Sequence, residues 1–465
     1  MQTFLCAIAL YNLLFFANAA NDDFRKRLQD ADKAASTAMD GIFKTWEVDN
    51  YPNFLTSAWI PKNSWDHLVK KFEQKILLAE KLSSTVNFTM SFTGSSVTAG
   101  HDSMFTESFS VLIGDIMGPV LRALNVLVVS RNVAMGNNHC MPYDACVKTF
   151  AGLDADLVHW EQSYNCFLDL NGDPRDVEQF LRQALYIPAG PMVVYAHSPT
   201  PNWKEGECAS VKPYNKTTDD KELLILAKSG IPGLTKIFTE SNKKYFTQAP
   251  LHSFIKTYPF AAVQIWDHSR YLAYKCLGPY IPSWGIGCRS WHPSVSGHKL
   301  RAHHHAYVWL TAWREAVMNI NNMKDKESVQ GILSSVEAKL TAMKVPATLP
   351  PRISHSDGDI LDNVQCFTQF EPHADRTMAL SDIVVSGLST GSVSRGWALG
   401  DMDEHADMDM FSKRAIKGYL DRRAMIQGNK SSGALSLKID VKKAGVLRIC
   451  QAPGNWGIFH LFIVF

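Results

Sequence analysis

Val86-Asn-Phe-Thr-Met-Ser-Phe-Thr-Gly-Ser-Ser-Val-Thr-Ala-Gly100 is the stretch on which the reading of this chain turns. Val86, Phe88, Met90 and Phe92 alternate with Asn87, Thr89, Ser91 and Thr93, the period of a strand with one apolar face. The alternation stops at Gly94-Ser95-Ser96, where the chain must turn. A helix is expected beyond Gly100, over about residues 103–116. A strand that turns sharply on glycine lifts the next hydroxyl above the sheet edge. The helix that follows offers backbone N–H groups to an anion. Ser96 is therefore the candidate nucleophile. Taken alone, the same residues also read as an ordinary Gly-Ser turn.

Outward from this stretch, strands and helices alternate. Residues 124–130 form a second apolar strand leading to Asn132-Val-Ala-Met-Gly136, and residues 155–160 a third leading to Glu161-Gln-Ser-Tyr-Asn165. Residues 192–196 and 261–265 read as a fourth and fifth, separated by a loop-rich insert from Pro199 to Pro250. Helices are expected over residues 174–185, capped by Asp173, and over residues 293–317. Such alternation predicts an α/β fold, a parallel sheet covered on both faces. In these sheets, sites form outside the carboxyl ends of the strands. Ser96, Gly136 and Asn165 all fall at such ends.

The flanks differ in character. Residues 1–20 are apolar and finish on Ala17-Asn-Ala-Ala20, which reads as a secretory signal peptide cut after Ala19 or Ala20; with no Lys or Arg in its first residues, an uncleaved anchor is the alternative. Two helices, residues 22–46 and 64–81, form an N-terminal helical segment (21–83) packed on the main domain (84–345). Residues 346–365 read as a Pro-rich linker. Beyond it, short strands between Gly, Ser and Asp turns predict an all-β, sandwich-like module over residues 366–465. The closing apolar run, residues 457–465, is too short to span a bilayer, so no stable membrane insertion is expected after signal removal. Sequons at Asn87, Asn215 and Asn429 fit a secretory route, although Asn87 lies within the first strand.

Removing Cys6 with the signal leaves eight cysteines of the nine, an even number consistent with disulfides outside the cytosol. Cys140 and Cys146 are spaced to close a small loop, and Cys366 with Cys450 to staple the last module. The 46% apolar and 20% charged fractions are those of a globular protein. A net charge of +2, without a basic arm or basic-aromatic strip, gives no support to nucleic-acid binding.

The residues quoted resemble the four blocks of the SGNH (GDSL-like) hydrolase family. Gly94-Ser95-Ser96-Val97-Thr98-Ala99-Gly100 is similar to the first block, with Ser96 at the nucleophile. Gly136 in Met135-Gly136-Asn137-Asn138 matches the second-block glycine, and Asn165 the third-block asparagine. Trp291-His292-Pro293-Ser294-Val295-Ser296-Gly297-His298 is similar to the last block, with His292 as base. The resemblance spans residues 86–317 and implies a three-layer, flavodoxin-like sheet. It also implies a serine esterase acting by acyl transfer without metal or cofactor. Its oxyanion hole would comprise the backbone N–H groups of Ser96 and Gly136 and the side-chain amide of Asn165. Three positions depart from the family pattern. Ser95 stands where aspartate is usual, and Ser163-Tyr164-Asn165-Cys166 replaces Gly-x-Asn-Asp. Arg289 occupies the place of the acid three residues before the histidine. Arginine cannot accept a hydrogen bond from imidazole and disfavours the imidazolium formed during attack. A backbone carbonyl or a distant carboxylate, Asp267 for one, would have to orient His292.

Other features point to blander roles. Successive helical residues diverge by about 100°, so His303-His304-His305 cannot share one ion, and a partly exposed helix face is expected. His298 reads as a structural polar residue on the same helix. The acidic run from Asp401 to Asp409 lacks the glycine and terminal glutamate of a calcium loop and reads as solvated. Cys166, beside Asn165, reads as a disulfide partner rather than a nucleophile. The expected protein is a secreted esterase cleaving an acyl, preferably O-acetyl, ester of an extracellular polysaccharide. The opposing expectation is a non-catalytic surface or matrix protein that keeps the fold for glycan binding.

Overall fold

A single helix, α1 (Gln2–Trp46), runs without interruption through the residues read as a signal peptide. Among its described side chains, Phe24, Leu28, Ala31, Ala35, Met39 and Ile42 are buried. The spacing of three and four puts them on one stripe. These described positions all lie beyond Ala20, so a chain starting there keeps them.

The computed structural model describes residues 2–46, 58–59, 62–100, 105–134, 140, 143–161, 175–197, 262–266, 295–323 and 328–343, together with short strands beyond residue 365. After α1 come β1 (Ala58–Trp59), α2 (Lys62–Leu82), β2 (Val86–Phe92), the one-turn α3 (Ser96–Ala99), α4 (Phe109–Arg122) and β3 (Val126–Asn132). They are followed by α5 (Tyr143–Ala151), β4 (Leu157–Trp160), α6 (Arg175–Leu185), β5 (Met192–His197), β6 (Ala262–Trp266), α7 (Val295–Met323) and α8 (Val329–Ala342).

The strands form one sheet in the order β1-β6-β5-β4-β2-β3. β2 runs parallel to both β3 and β4, β4 to β5, and β5 to β6. The short β1 adds an antiparallel edge on β6, which the sequence did not signal. From β2 the chain steps one way to β3, then returns across β2 to β4. This is the flavodoxin-like strand order, and its switch point lies between β2 and β4. Ser96 follows the carboxyl end of β2 at that switch point.

Helices cover both faces. On one, Phe88, Met90 and Phe92 of β2 join a core with α1, α2, α4, α7 and α8. Phe72 of α2 stacks on Phe88 at 4.6 Å and meets Trp313 of α7 edge-on at 5.5 Å. On the other face Ser91 donates to the Ala151 carbonyl of α5 at 2.6 Å, and Trp160 packs on Phe180 of α6.

Some boundaries depart from expectation for physical reasons. The helix expected over 103–116 begins instead at Phe109, after a 3-10 turn at Phe105–Glu107. Phe109, Ile113, Met117, Val120 and Leu121 are the positions it buries, and they fix its phase against the sheet. α7 extends six residues beyond the expected end, and the helices α5 and α8 were not anticipated.

Beyond residue 365 the strands are β7 (Cys366–Thr368), β8 (Val384–Ser386), β9 (Ala398–Asp401), β10 (Ala424–Gln427), β11 (Lys438–Ile439), β12 (Arg448–Pro453) and β13 (Phe459–Val464). They pair antiparallel as β12-β13-β7, β10-β9 and β11-β8. Most residues of the expected sandwich, and all of the acidic run after Asp401, lie outside the described residues.

The disulfide expectation is corrected. Cys146 bonds to Cys366, 220 residues away, with Cα atoms 5.3 Å apart. The cause is packing of α5 on β7, where Thr149 also donates to the Cys366 carbonyl at 3.0 Å. Cys140 is disulfide-bonded too, but not to Cys146. Cys366 cannot reach Cys450 in any case, because β13 lies between β12 and β7. Two strand spacings are about 9.5 Å, beyond the ~7 Å Cα limit for a bridge.

Candidate active site

The turn after β2 is stitched to the end of β4 before it reaches Ser96. The Thr93 N–H and hydroxyl both donate to the His159 carbonyl, at 3.0 and 2.5 Å. Ser95 N–H donates to the Glu161 carbonyl at 3.4 Å. Glycine is required at 94 by the close approach of α3: a Cβ there would run into the Thr98 side chain and lie 3.2 Å from the Glu161 carbonyl oxygen. Ser96 then opens α3, half-buried, while its neighbours Ser95 and Val97 are buried. Gly100 closes α3 in the left-handed conformation, φ +88°. The sequence reading placed a helix only beyond Gly100; the serine itself begins one.

Thr98 is the point at which neighbouring segments meet this turn. Its carbonyl accepts from Asn132 Nδ2 at 2.7 Å, at the end of β3. The other side of that amide, Asn132 Oδ1, accepts from Ala134 N–H at 3.1 Å. The Thr98 hydroxyl donates to Glu161 Oε2 at 2.7 Å, just past the end of β4. The second oxygen, Glu161 Oε1, lies 3.4 Å from Arg301 Nη1 of α7, and both side chains are fully buried. A buried ion pair of this kind is costly to break, about 3–5 kcal/mol when one partner is removed.

Gly136, Asn165, His292, Arg289 and Asp267 lie outside the described residues, so of the proposed catalytic and oxyanion groups only Ser96 is described. The segments leading to or from the others are described. Asn132 and Ala134 precede Gly136, Glu161 precedes Asn165, and α7, with Arg301, follows His292. All three of these flanking segments are bonded, directly or through Glu161, to Thr98.

Beneath the turn sits a buried layer of histidine and arginine that the sequence reading did not foresee. The Arg301 guanidinium lies 4.0 Å over the Phe109 ring. Phe109 N–H donates to His298 Nδ1 at 3.3 Å, and the two rings stack at 6.1 Å, which gives His298 a structural role. His159 sits between Phe92, Phe109 and His305, with ring centroids 5.3–5.5 Å away. Burial, then the Arg301 cation and His305, holds His159 well below the usual imidazole range, so it is neutral.

Of the His303–His305 triple, expected on a partly exposed helix face, only His303 is partly exposed. His304 and His305 are buried, and His303 is half-buried and pushed down to about 4 by burial and Lys299. His305 Nδ1 is 2.8 Å from the Arg301 carbonyl one turn back. Among the described residues no group of three His, Cys, Asp or Glu could hold a metal ion.

Thr98, Glu161 and Arg301 escaped sequence reasoning. The signal for Glu161 was faint: a carboxylate directly after an apolar strand whose next residues were read as a block. Nothing in the spacing linked it to an arginine 140 residues on.

No family model matches the chain, and no curated protein matches it. Among solved structures, it is similar to a two-domain esterase (CEX) active on acetylated mannans. The likeness has 12% identity and a TM-score of 0.32, over 84% of this chain and 94% of that one. The same esterase co-crystallized with mannopentaose aligns at 12% identity and a TM-score of 0.28, and here the match spans about half of each chain, 52%. Among the described residues no helix is long and apolar enough to cross a membrane.

Proposed function

We propose that the chain is a secreted SGNH-like serine esterase that removes an acyl group, preferably O-acetyl, from an extracellular polysaccharide. The observation that supports this most is the setting of Ser96: a half-buried hydroxyl beyond β2, at the point where the strand order reverses. The bonding of the segments next to Gly136, Asn165 and His292 to the same turn is a second support.

In this reading His292 takes the proton of Ser96 Oγ as that oxygen attacks the ester carbonyl. The carbonyl oxygen becomes an oxyanion, held by the N–H groups of Ser96 and Gly136 and the Asn165 amide. Losing one such donor costs about 2.7–4 kcal/mol of transition-state stabilisation. Collapse breaks the bond to the sugar oxygen, which leaves with the proton from His292. Water, deprotonated by His292, then releases the acid and returns the proton to Ser96. Arg289 offers His292 no acceptor, so the imidazole must be oriented elsewhere, and turnover is expected to be modest.

A fluorophosphonate probe on the full chain tests the reading. Labelling and p-nitrophenyl acetate hydrolysis are expected for the wild type and not for Ser96→Ala. Acetate release from an acetylated mannan, the polymer on which the neighbouring esterase acts, is one polysaccharide assay. Labelling that survives Ser96→Ala, or none in the wild type, sinks the assignment. The Arg289 substitution favours a second reading, a glycan-binding protein on a disabled esterase fold. Retained glycan binding without labelling would select it.

A further inference from the structure

We propose that Thr98 is a positioning residue, the junction through which the nucleophile turn is held in register with the other segments of the site. The role deepens the reading of Ser96 as nucleophile and rests on it. Thr98 lies two residues beyond Ser96 and uses two different atoms. Its carbonyl accepts from Asn132 at the end of β3, and its hydroxyl donates to Glu161 beyond β4. Glu161 in turn faces Arg301 on α7, with both charges removed from water. A buried carboxylate needs its partners to keep one rotamer. Arg301 supplies the charge, and the Thr98 hydroxyl supplies the directional contact that ties that carboxylate to the turn. Gly94 closes the arrangement, since only its missing side chain lets Thr98 approach. A displacement of the turn by a fraction of an ångström is therefore opposed from three sides. Ser96 aims its hydroxyl from that same single helical turn.

Thr98→Val keeps the shape and removes the hydroxyl; Thr98→Ser restores it. The full chain is read by two measures. The first is amide hydrogen exchange of residues 94–100 against that of β2, which does not depend on catalysis. The second is kcat and KM with p-nitrophenyl acetate. In Thr98→Val, exchange of residues 94–100 is expected to quicken by about tenfold with β2 unchanged. The same variant should lose about 10- to 100-fold in kcat with KM within about twofold, as misplacement of a reacting group does. Thr98→Ser should return both to within about threefold of wild type.

Unchanged exchange overturns the proposal whatever the activity. So does faster exchange with kcat unchanged in an active wild type, and so does a loss that Thr98→Ser does not restore. If the wild type neither labels nor turns over, the esterase reading falls by itself, and the exchange comparison alone decides the role of Thr98. Should Thr98→Val not fold, Asn132→Asp withdraws the donor to the Thr98 carbonyl at a half-buried position and is judged by the same two measures.

Discussion

Lys75 Nζ lies 2.8 Å from Asp156 Oδ2 at the amino end of β4, the end of the sheet remote from Ser96. Asp156 is buried, accepts from Thr89 N–H at 2.9 Å, and has Lys71 at 3.7 Å on its other oxygen. The carboxylate therefore fixes β2, β4 and α2 to one another. Asp156→Ala removes the buried counter-charge of two lysines, of which Lys71 keeps its bond to the Ala189 carbonyl, and leaves one strand amide without its acceptor. It is expected to lower unfolding free energy by about 3–5 kcal/mol. A urea titration checks this, and fluorophosphonate labelling of the folded variant should proceed at the wild-type rate.

Gly94→Ala should act at the opposite end. The added methyl meets Thr98 and the Glu161 carbonyl, so either the turn or the end of β4 must move. Overpacking of this kind costs about 1–3 kcal/mol. The loss in kcat should exceed what that instability predicts at a temperature where the variant is fully folded. An active Gly94→Ala with wild-type kcat would show that the approach of Thr98 is not needed.

Stability should fall on the alkaline side of pH 4 because of Asp144. Burial, with Asp176 nearby, raises its carboxyl from the ordinary 3.8 to about 7. The folded state then holds a proton that the unfolded chain has released. The stability this contributes is complete below about pH 4 and is lost as pH rises through about 7, roughly 4 kcal/mol in all. Asp144→Asn should flatten the urea midpoint between those limits and raise it at pH 8. A midpoint with the same slope in wild type and variant would dismiss Asp144 as the cause.

Removing the Cys146–Cys366 bond should destabilise the chain strongly, since it closes a separation of 220 residues. In the chain-entropy model a loop of that length is worth about 5 kcal/mol. The double variant Cys146→Ser/Cys366→Ser is expected to unfold at lower urea. Non-reducing peptide mapping of the wild type should recover the two cysteines in one linked fragment; recovery of a Cys140–Cys146 fragment would refute the pairing.

What the sequence made legible was periodic. Alternation from Val86 to Thr93 marks β2, and the neighbouring apolar runs mark β3, β4 and β5 to within two residues. The Gly94 turn and the position of Ser96 at a strand's carboxyl end followed from that pattern. What stayed hidden was pairwise. A buried Glu161–Arg301 pair joins residues with no shared period, and each reads alone as surface charge. The same holds for Cys146 and Cys366, where nearness in sequence suggested Cys140 and nearness in space decided otherwise. The histidine triple of α7 reads as a partly exposed helix face, which only His303 fits; α7 is packed against α1, α2 and α4 and buries most of its circumference.

The bond between α5 and β7 also governs how the chain answers to a protease. A single nick anywhere between residues 147 and 365 yields two polypeptides that stay covalently attached. Such a molecule keeps its mass until a reductant is added, and only then do the halves separate on a gel.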